Sequence, residues 1–295
     1  MDQAGEQVRY EAPEEAIARI VLARPERRNA QGVRMTYELD AAFKRAAHDR
    51  DVKVIILAAD GEDFSAGHDL SYEADASEFA PLGLWGPPDE PGWEGRFARE
   101  RELYLDITER WRALPKPTIA QVQGRCIAGG NMLAFACDLI VASDDAAFRD
   151  NTVDMGVCGA ELFNHPFELG VRKAKEWLFT CGWLTAQEAL LRGMVNRVAS
   201  RADLAEVTLD LARTIAKKPM FALRMAKEAC NSAQDAMGRV DAQRIAFALH
   251  QLCHTDNMLR HGLPITPENL PPKIQEALRE RAARAKAKTQ SAKGE

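Results

Sequence analysis

Apolar and polar residues follow two different periods along this chain. "AIARIVLAR" (16–24) alternates and is rich in β-branched residues, which predicts a strand. "VRMTYELDAAFKRAAHD" (33–49) carries its apolar residues at helical spacing. "VKVIILAA" (52–59) is a short unbroken apolar run, as expected of a strand covered on both faces. "PTIAQVQG" (117–124) predicts another strand, "GGNMLAFACD" (129–138) a helix, and "LIVAS" (139–143) and the shorter "AAFR" two more strands. Strand, loop and helix recur in steps of unequal length. That rhythm predicts an α/β fold of stacked ββα turns rather than a strict βαβ ladder.

Two segments break the rhythm. Residues 71–98 include "PLGLWGPPDEPGWEG" and read as a long loop, with Trp85 and Trp93 expected to line or cover a pocket. From about 201 the pattern is almost wholly helical through His261. After "LPITPENLPP" (263–272) a charged helix is expected, in which Arg279, Arg281, Arg284, Lys286 and Lys288 alternate with small residues as on a solvated face. The expected organisation is therefore a core over 1–200, a helical region over 201–262 and a charged extension over 263–295.

Composition narrows the function classes. The 295 residues suit one large domain, or a domain with a helical appendage. A net charge of −5 argues against a nucleic-acid partner, which needs a basic face. No window approaches the roughly 18 unbroken apolar residues of a membrane span. The acidic opening "MDQAGEQVRYEAPEEA" has no apolar core and is unlike a signal peptide. Six cysteines without CxxC pairing read as reduced thiols, so a cytoplasmic location is expected.

Two loops share one design. "FSAGHDL" (64–70) and "GRCIAGGNML" (124–133) each follow a predicted strand and lead to a helix start. The first N–H groups of a helix have no partner within it, and the dipole is positive there. Glycine lets a ligand approach the backbone. Two such turns facing each other offer two N–H donors to one oxygen, an oxyanion hole of backbone alone. The plainer alternative is that both are tight connections. Other readings fit less well. Gly124 and Gly129 have phosphate-loop spacing, but Asn131 breaks that motif, and "DFSAG" is half of a nucleophile elbow with Asp63 where Ser65 would need a glycine.

From about residue 15 to 261 the chain resembles the crotonase, or enoyl-CoA hydratase/isomerase, superfamily. The motifs are "ARPERRNA" (23–30), "VKVIILAADGEDFSAGHDL" (52–70), "LPKPTIAQVQGRCIAGGNMLAFACDLIVASDDAAF" (114–148), "LFTCGWLTAQEALLRGMVNRV" (178–198) and "KKPMFALRMAKEACN" (217–231). The resemblance implies a crotonase-like spiral of ββα units with a C-terminal helical trimerisation region, assembled as a homotrimer or a hexamer. It implies an acyl-CoA substrate, with coenzyme A part of that substrate and no separate cofactor. The oxyanion hole would be the backbone N–H groups of His68 and Gly129. Arg27 and Arg28 would lie by the phosphates of coenzyme A. Ala66, His68, Asp69, Leu70 and Gly130 would follow the rest of it.

The resemblance also exposes a departure. Hydratases of the family carry two glutamates, and the matching positions here are Met132 and Thr152. Ordinary hydration lacks its usual acid and base. Asp150, Asp154, Glu161 and His165 fall within one loop that could replace them. Glu161 stands, allowing a one-residue shift, where dienoyl-CoA isomerases of the superfamily place an extra acid. Glu161 and Asp154 are the expected proton carriers. Two alternatives stay open: a decarboxylase of malonyl-type acyl-CoA, which needs mainly enolate stabilisation, and a non-catalytic acyl-CoA-binding protein. His250, Cys253 and His254 have metal-ligand spacing on a helix, but no further ligand cluster accompanies them, so helix packing is expected and no metal.

Overall fold

The computed structural model describes residues 6–70, 85–86, 90, 92–270, 272, 274–280 and 283. Its strands are β1 Val8–Glu14, β2 Ile17–Leu22, β3 Val54–Ala59, β4 Thr118–Val122, β5 Arg125–Ile127, β6 Leu139–Ser143, β7 Ala147–Arg149, β8 Leu184–Thr185 and β9 Arg197–Ala199. Among the described residues they form two sheets, β1-β2-β3-β4-β6-β9 and β5-β7-β8. β1 and β2 are an antiparallel hairpin, and the rest of the large sheet is parallel.

The order of the strands is that of a spiral. β4 lies in the large sheet and β5 in the small one; helix α4 follows, and β6 and β7 repeat the step. Ser65 bridges Cys126 in parallel, so the segment after β3 joins the same small layer. Each turn thus crosses from one layer to the other before its helix returns the chain.

The alternation inside the apolar runs explains why they form buried strands. In β3, Ile55 and Leu57 face one core, while Val54, Ile56 and Ala58 face another. Helices α1 (Val33–His48), α3 (Ile107–Arg112) and α4 (Gly129–Phe135) supply Leu39, Phe43, Trp111 and Leu133 to the first core. The second is closed by Leu204 and Ala212 of α8 (Leu204–Ala216), so this helix belongs to the sheet although it lies past residue 201. Between them α5 (His165–Leu169), α6 (Val171–Thr180) and α7 (Ala186–Arg192) complete the last turn.

Helix α2 (Trp93–Glu100) begins inside the stretch that the sequence presents as loop. It runs through a wide π-helical turn, Arg101–Asp106, directly into α3. Its charged composition, "WEGRFARERELYLDITER", hides the apolar stripe. The remainder of the expected loop, apart from residues 85, 86, 90 and 92, and the tail residues Arg281, Arg284, Lys286 and Lys288 lie outside the described residues.

Two long helices follow α8, α9 (Met220–Ala236) and α10 (Arg239–His261). α9 buries no residue, and its Phe221 is 70% exposed. α10 has its polarity reversed. Gln243, His250, Gln251, His254 and Asn257 point inward, while Ile245, Leu249, Leu252 and Leu259 are exposed.

Candidate active site

The turn "RPERRNA" builds the first loop of the site. Pro25–Arg27 forms a short 3-10 turn, and Arg28 and Asn29 adopt left-handed backbone with φ of 52° and 51°. Asn29 is fully buried. Its Oδ1 accepts from the Arg24 N–H at 2.9 Å, and its Nδ2 donates to the carbonyls of Asp60 and Asp63 at 2.9 and 3.0 Å. The Ser65 hydroxyl donates to the Asn29 carbonyl at 2.8 Å, which accounts for this buried serine without a nucleophilic role. The Ala66 N–H donates to the Arg28 carbonyl. Arg27 and Arg28 themselves are exposed on the rim.

Gln31 then fixes the direction of the next residues. Its N–H donates to the Gly67 carbonyl at 2.7 Å, and its carbonyl accepts from the Asp69 N–H at 2.9 Å. In a parallel bridge of this kind the intervening residue, His68, turns its own N–H the other way. Asp69 pairs with Arg24 at 2.8 Å, and Leu70 packs on the C-terminal segment beside Leu263 and Ile265.

The second turn meets the first at van der Waals limits. A Cβ on Gly130 would stand 2.8 Å from the Ser65 carbonyl oxygen, and one on Gly67, whose φ is +86°, would stand 2.7 Å from the Ile127 carbonyl oxygen. A Cβ on Gly129 would lie 3.2 Å from the His68 nitrogen and 2.7 Å from two atoms of its ring. Ala128, at φ 44° and ψ −105°, is strained just before the α4 start. The His68 and Gly129 N–H groups therefore stand side by side, and neither has an acceptor among the described residues. Met132 lies one turn on and is buried in the first core.

The His68 side chain carries the next contact. Its Nε2 is 2.9 Å from Glu161 Oε2, and its ring lies tilted against that of Tyr104 with centroids 3.9 Å apart. Its Nδ1 is buried and has no hydrogen-bond partner among the described residues. Burial alone would lower the imidazolium pKa, but the Glu161 carboxylate outweighs it and holds His68 above its ordinary value. Burial would likewise raise Glu161; the charge and hydrogen bond of His68 beside it outweigh that and hold its carboxyl well below the usual carboxylate range. His68 and Glu161 are thus an oriented imidazole–carboxylate pair at the edge of the two turns.

The other expected acids and bases fall elsewhere. Asp154 pairs with Arg149 at 3.1 Å, and its side chain is 41% exposed. Asp150 is fully buried, accepting from the Thr152 N–H and hydroxyl and lying 2.7 Å from His165 Nε2. It fastens the loop that carries Glu161, and Thr152 is occupied there. The helix spacing of His250 and His254 is used: both reach Glu100, while Cys253 packs with the C-terminal segment. Phe97 of α2 meets Phe247 of α10 edge-on at 5.1 Å, and Trp85 meets Phe97 at 4.9 Å.

Tyr104 and Glu100 were not foreseen from the sequence. The segment bearing them is charged, and nothing nearby in the chain signals that either faces a histidine.

Comparison with known proteins agrees with this architecture. The family model described as Enoyl-CoA hydratase/isomerase matches residues 12–276. A curated relative, "Putative enoyl-CoA hydratase EchA13" of Mycobacterium tuberculosis, is 45% identical over 261 residues, 84% of this chain and 81% of the relative. The structure is similar to that of a probable enoyl-CoA hydratase from Mycobacterium smegmatis, with a TM-score of 0.79 and 46% identity over 88% of this chain and 99% of that one. It is also similar to an enoyl-CoA hydratase/isomerase from Xanthobacter autotrophicus Py2, with a TM-score of 0.75 and 29% identity over 94% and 98% of the two chains. The spiral of strand pairs, the two facing glycine turns and these matches place the chain in the enoyl-CoA hydratase/isomerase family.

Proposed function

We propose that this chain catalyses proton transfer on an acyl-CoA thioester, holding the thioester oxygen between the N–H groups of His68 and Gly129 and moving the proton through the His68 ring. The observation that carries this reading is the 2.9 Å contact between His68 Nε2 and Glu161, with His68 Nδ1 left buried beside Gly129 and unpartnered among the described residues. A buried carboxylate on one ring nitrogen orients the imidazole and stabilises its charged form, so that the other nitrogen exchanges the proton. His68 Nδ1 takes a proton from the carbon next to the carbonyl, and the electron pair moves onto the oxygen. The two backbone donors stabilise that oxygen, each contributing roughly 10²–10³ in rate. The same proton, returned to a different carbon, completes an isomerisation; hydration would in addition need a water brought to the β carbon.

On this reading Glu161 is the positioning partner of the proton carrier. Asp154, paired with Arg149, has no contact with the turns that would favour it. The missing glutamates follow: Met132 is core, Thr152 fastens a loop, and a histidine supplied by the first turn takes over. Arg27 and Arg28 on the rim suit the phosphates of coenzyme A, with the backbone from Ala66 to Leu70 and Gly130 beside its thiol arm. The exposed apolar faces of α9 and α10 suit burial between copies, and a trimer is the assembly we infer.

The test is a panel of enoyl-CoA and malonyl-type thioesters. His68→Ala keeps the backbone donor and removes the ring; Glu161→Gln keeps a hydrogen bond and removes the charge. Each is expected to lower kcat by about 10²–10⁴ with KM little changed. Release of carbon dioxide at a rate that neither substitution alters would replace this reading with decarboxylation.

A further inference from the structure

The two histidines one turn apart on α10 meet a carboxylate from a distant part of the chain. Glu100 closes α2, immediately before the wide turn Arg101–Asp106. Glu100, His250 and His254 are all buried, and one ligating atom from each lies within 4.8 Å of the others.

The backbone sets the tautomer of both rings. His250 Nδ1 is 2.8 Å from the Gly159 carbonyl oxygen, and His254 Nδ1 is 2.5 Å from that of Pro264. A carbonyl only accepts, so Nδ1 carries the hydrogen in each ring and the lone pair of the neutral imidazole sits on Nε2. These two Nε2 atoms stand 3.9 and 3.5 Å from Glu100 Oε2. His250 Nε2 is buried without a hydrogen-bond partner among the described residues. Gln251 donates to Glu100 Oε2 at 2.6 Å, and Arg96 takes the other carboxylate oxygen. Two imidazole lone pairs and a carboxylate oxygen therefore converge out of water, where such groups need an electropositive partner between them.

We infer that Glu100, His250 and His254 form a binding site for a divalent transition-metal ion of the zinc type. Two imidazoles and a carboxylate are a donor set for such ions, and rings whose outer N–H groups are held by carbonyls are already oriented for ligation. The ion joins α2, which follows the inserted segment, to α10. His250 Nε2 is also 3.6 Å from Glu161 Oε1, so the ion stands just beyond Glu161 as seen from His68. The assignment is independent of which thioester is turned over.

The test uses the full chain, stripped with a chelator and dialysed. Calorimetric titration with zinc chloride is expected to show one equivalent bound per chain. Diffraction from a zinc-soaked crystal, collected at the zinc absorption edge, is expected to put the anomalous peak between the three residues. His254→Gln and Glu100→Gln, each checked for wild-type helix content, are expected to weaken zinc binding by about 100-fold or more. An anomalous peak elsewhere, no stoichiometric binding by the wild-type chain, or binding that both variants leave unaltered overturns the assignment. If a variant does not fold, the anomalous peak of the wild-type chain decides.

Discussion

The imidazole of His68 lies against the Cα of Gly129, with two ring atoms 2.7 Å from where a Cβ at position 129 would stand. The ring cannot swing away, because Tyr104 covers its face and Glu161 holds its Nε2. Gly129→Ala is therefore expected to disturb the His68 ring and the backbone donor together. Turnover should fall by about 10²–10³ or more while the chain stays folded. Adding His68→Ala should remove the clash and recover thioester binding without recovering turnover. Steady-state kinetics and a binding titration on the single and double variants check this.

The charge coupling of His68 and Glu161 sets a pH dependence. His68 has a folded pKa above its ordinary 6.5, so its contribution to stability is complete below pH 6.5 and fades as pH rises through the raised value. Glu161 is depressed below its ordinary 4.5, so its contribution is present above pH 4.5 and is lost as pH falls through the depressed value. The melting-temperature gap between wild type and Glu161→Gln should be widest from pH 4.5 to 6.5 and narrow on the alkaline side. A gap independent of pH would count against a charged pair.

Asn29 is a test of the scaffold rather than the chemistry. Replacing it with alanine strands the Arg24 N–H and two carbonyls that now share its amide. It also leaves a residue with a Cβ, and no local side-chain hydrogen bond, at φ 51°. Chemical denaturation should show a loss of about 2–3 kcal/mol.

Asp154→Asn separates the two carboxylates of the loop. Its partner is Arg149 at the surface, and a surface pair contributes little. Turnover on the best substrate should be unchanged, whereas Glu161→Gln should depress it. Loss of activity in Asp154→Asn would move the proton carrier away from His68.

The strands and the two glycine turns were legible because their causes are local. "VIILAA" is apolar throughout since β3 is covered on both faces, and the glycines at 67, 129 and 130 stand where the turns touch. β1 was missed: "VRYEAPE" is an edge strand, mostly part-exposed, and holds a proline. α2 was missed because charge conceals its buried side. The His68–Glu161 contact spans 93 positions in the chain, so spacing could not reveal it; only the resemblance singled out Glu161. His250 and His254 displayed their spacing, but their partner Glu100 lies about 150 residues earlier, in a segment read as a loop running into an unassigned stretch.

The wide turn Arg101–Asp106 has a consequence for how this wall tolerates change. A π-type turn holds more residues than an ordinary turn at the same place. Removing one residue would let it relax to ordinary helix with both flanks in place; winding all six residues as ordinary helix would instead rotate everything before it by about 100° relative to Trp111, which stays seated in the core. Phe97 would leave Phe247, and Glu100 would leave His250 and His254, in one movement. The length of this turn, more than the identity of any residue in it, sets which side of the helix faces the interior.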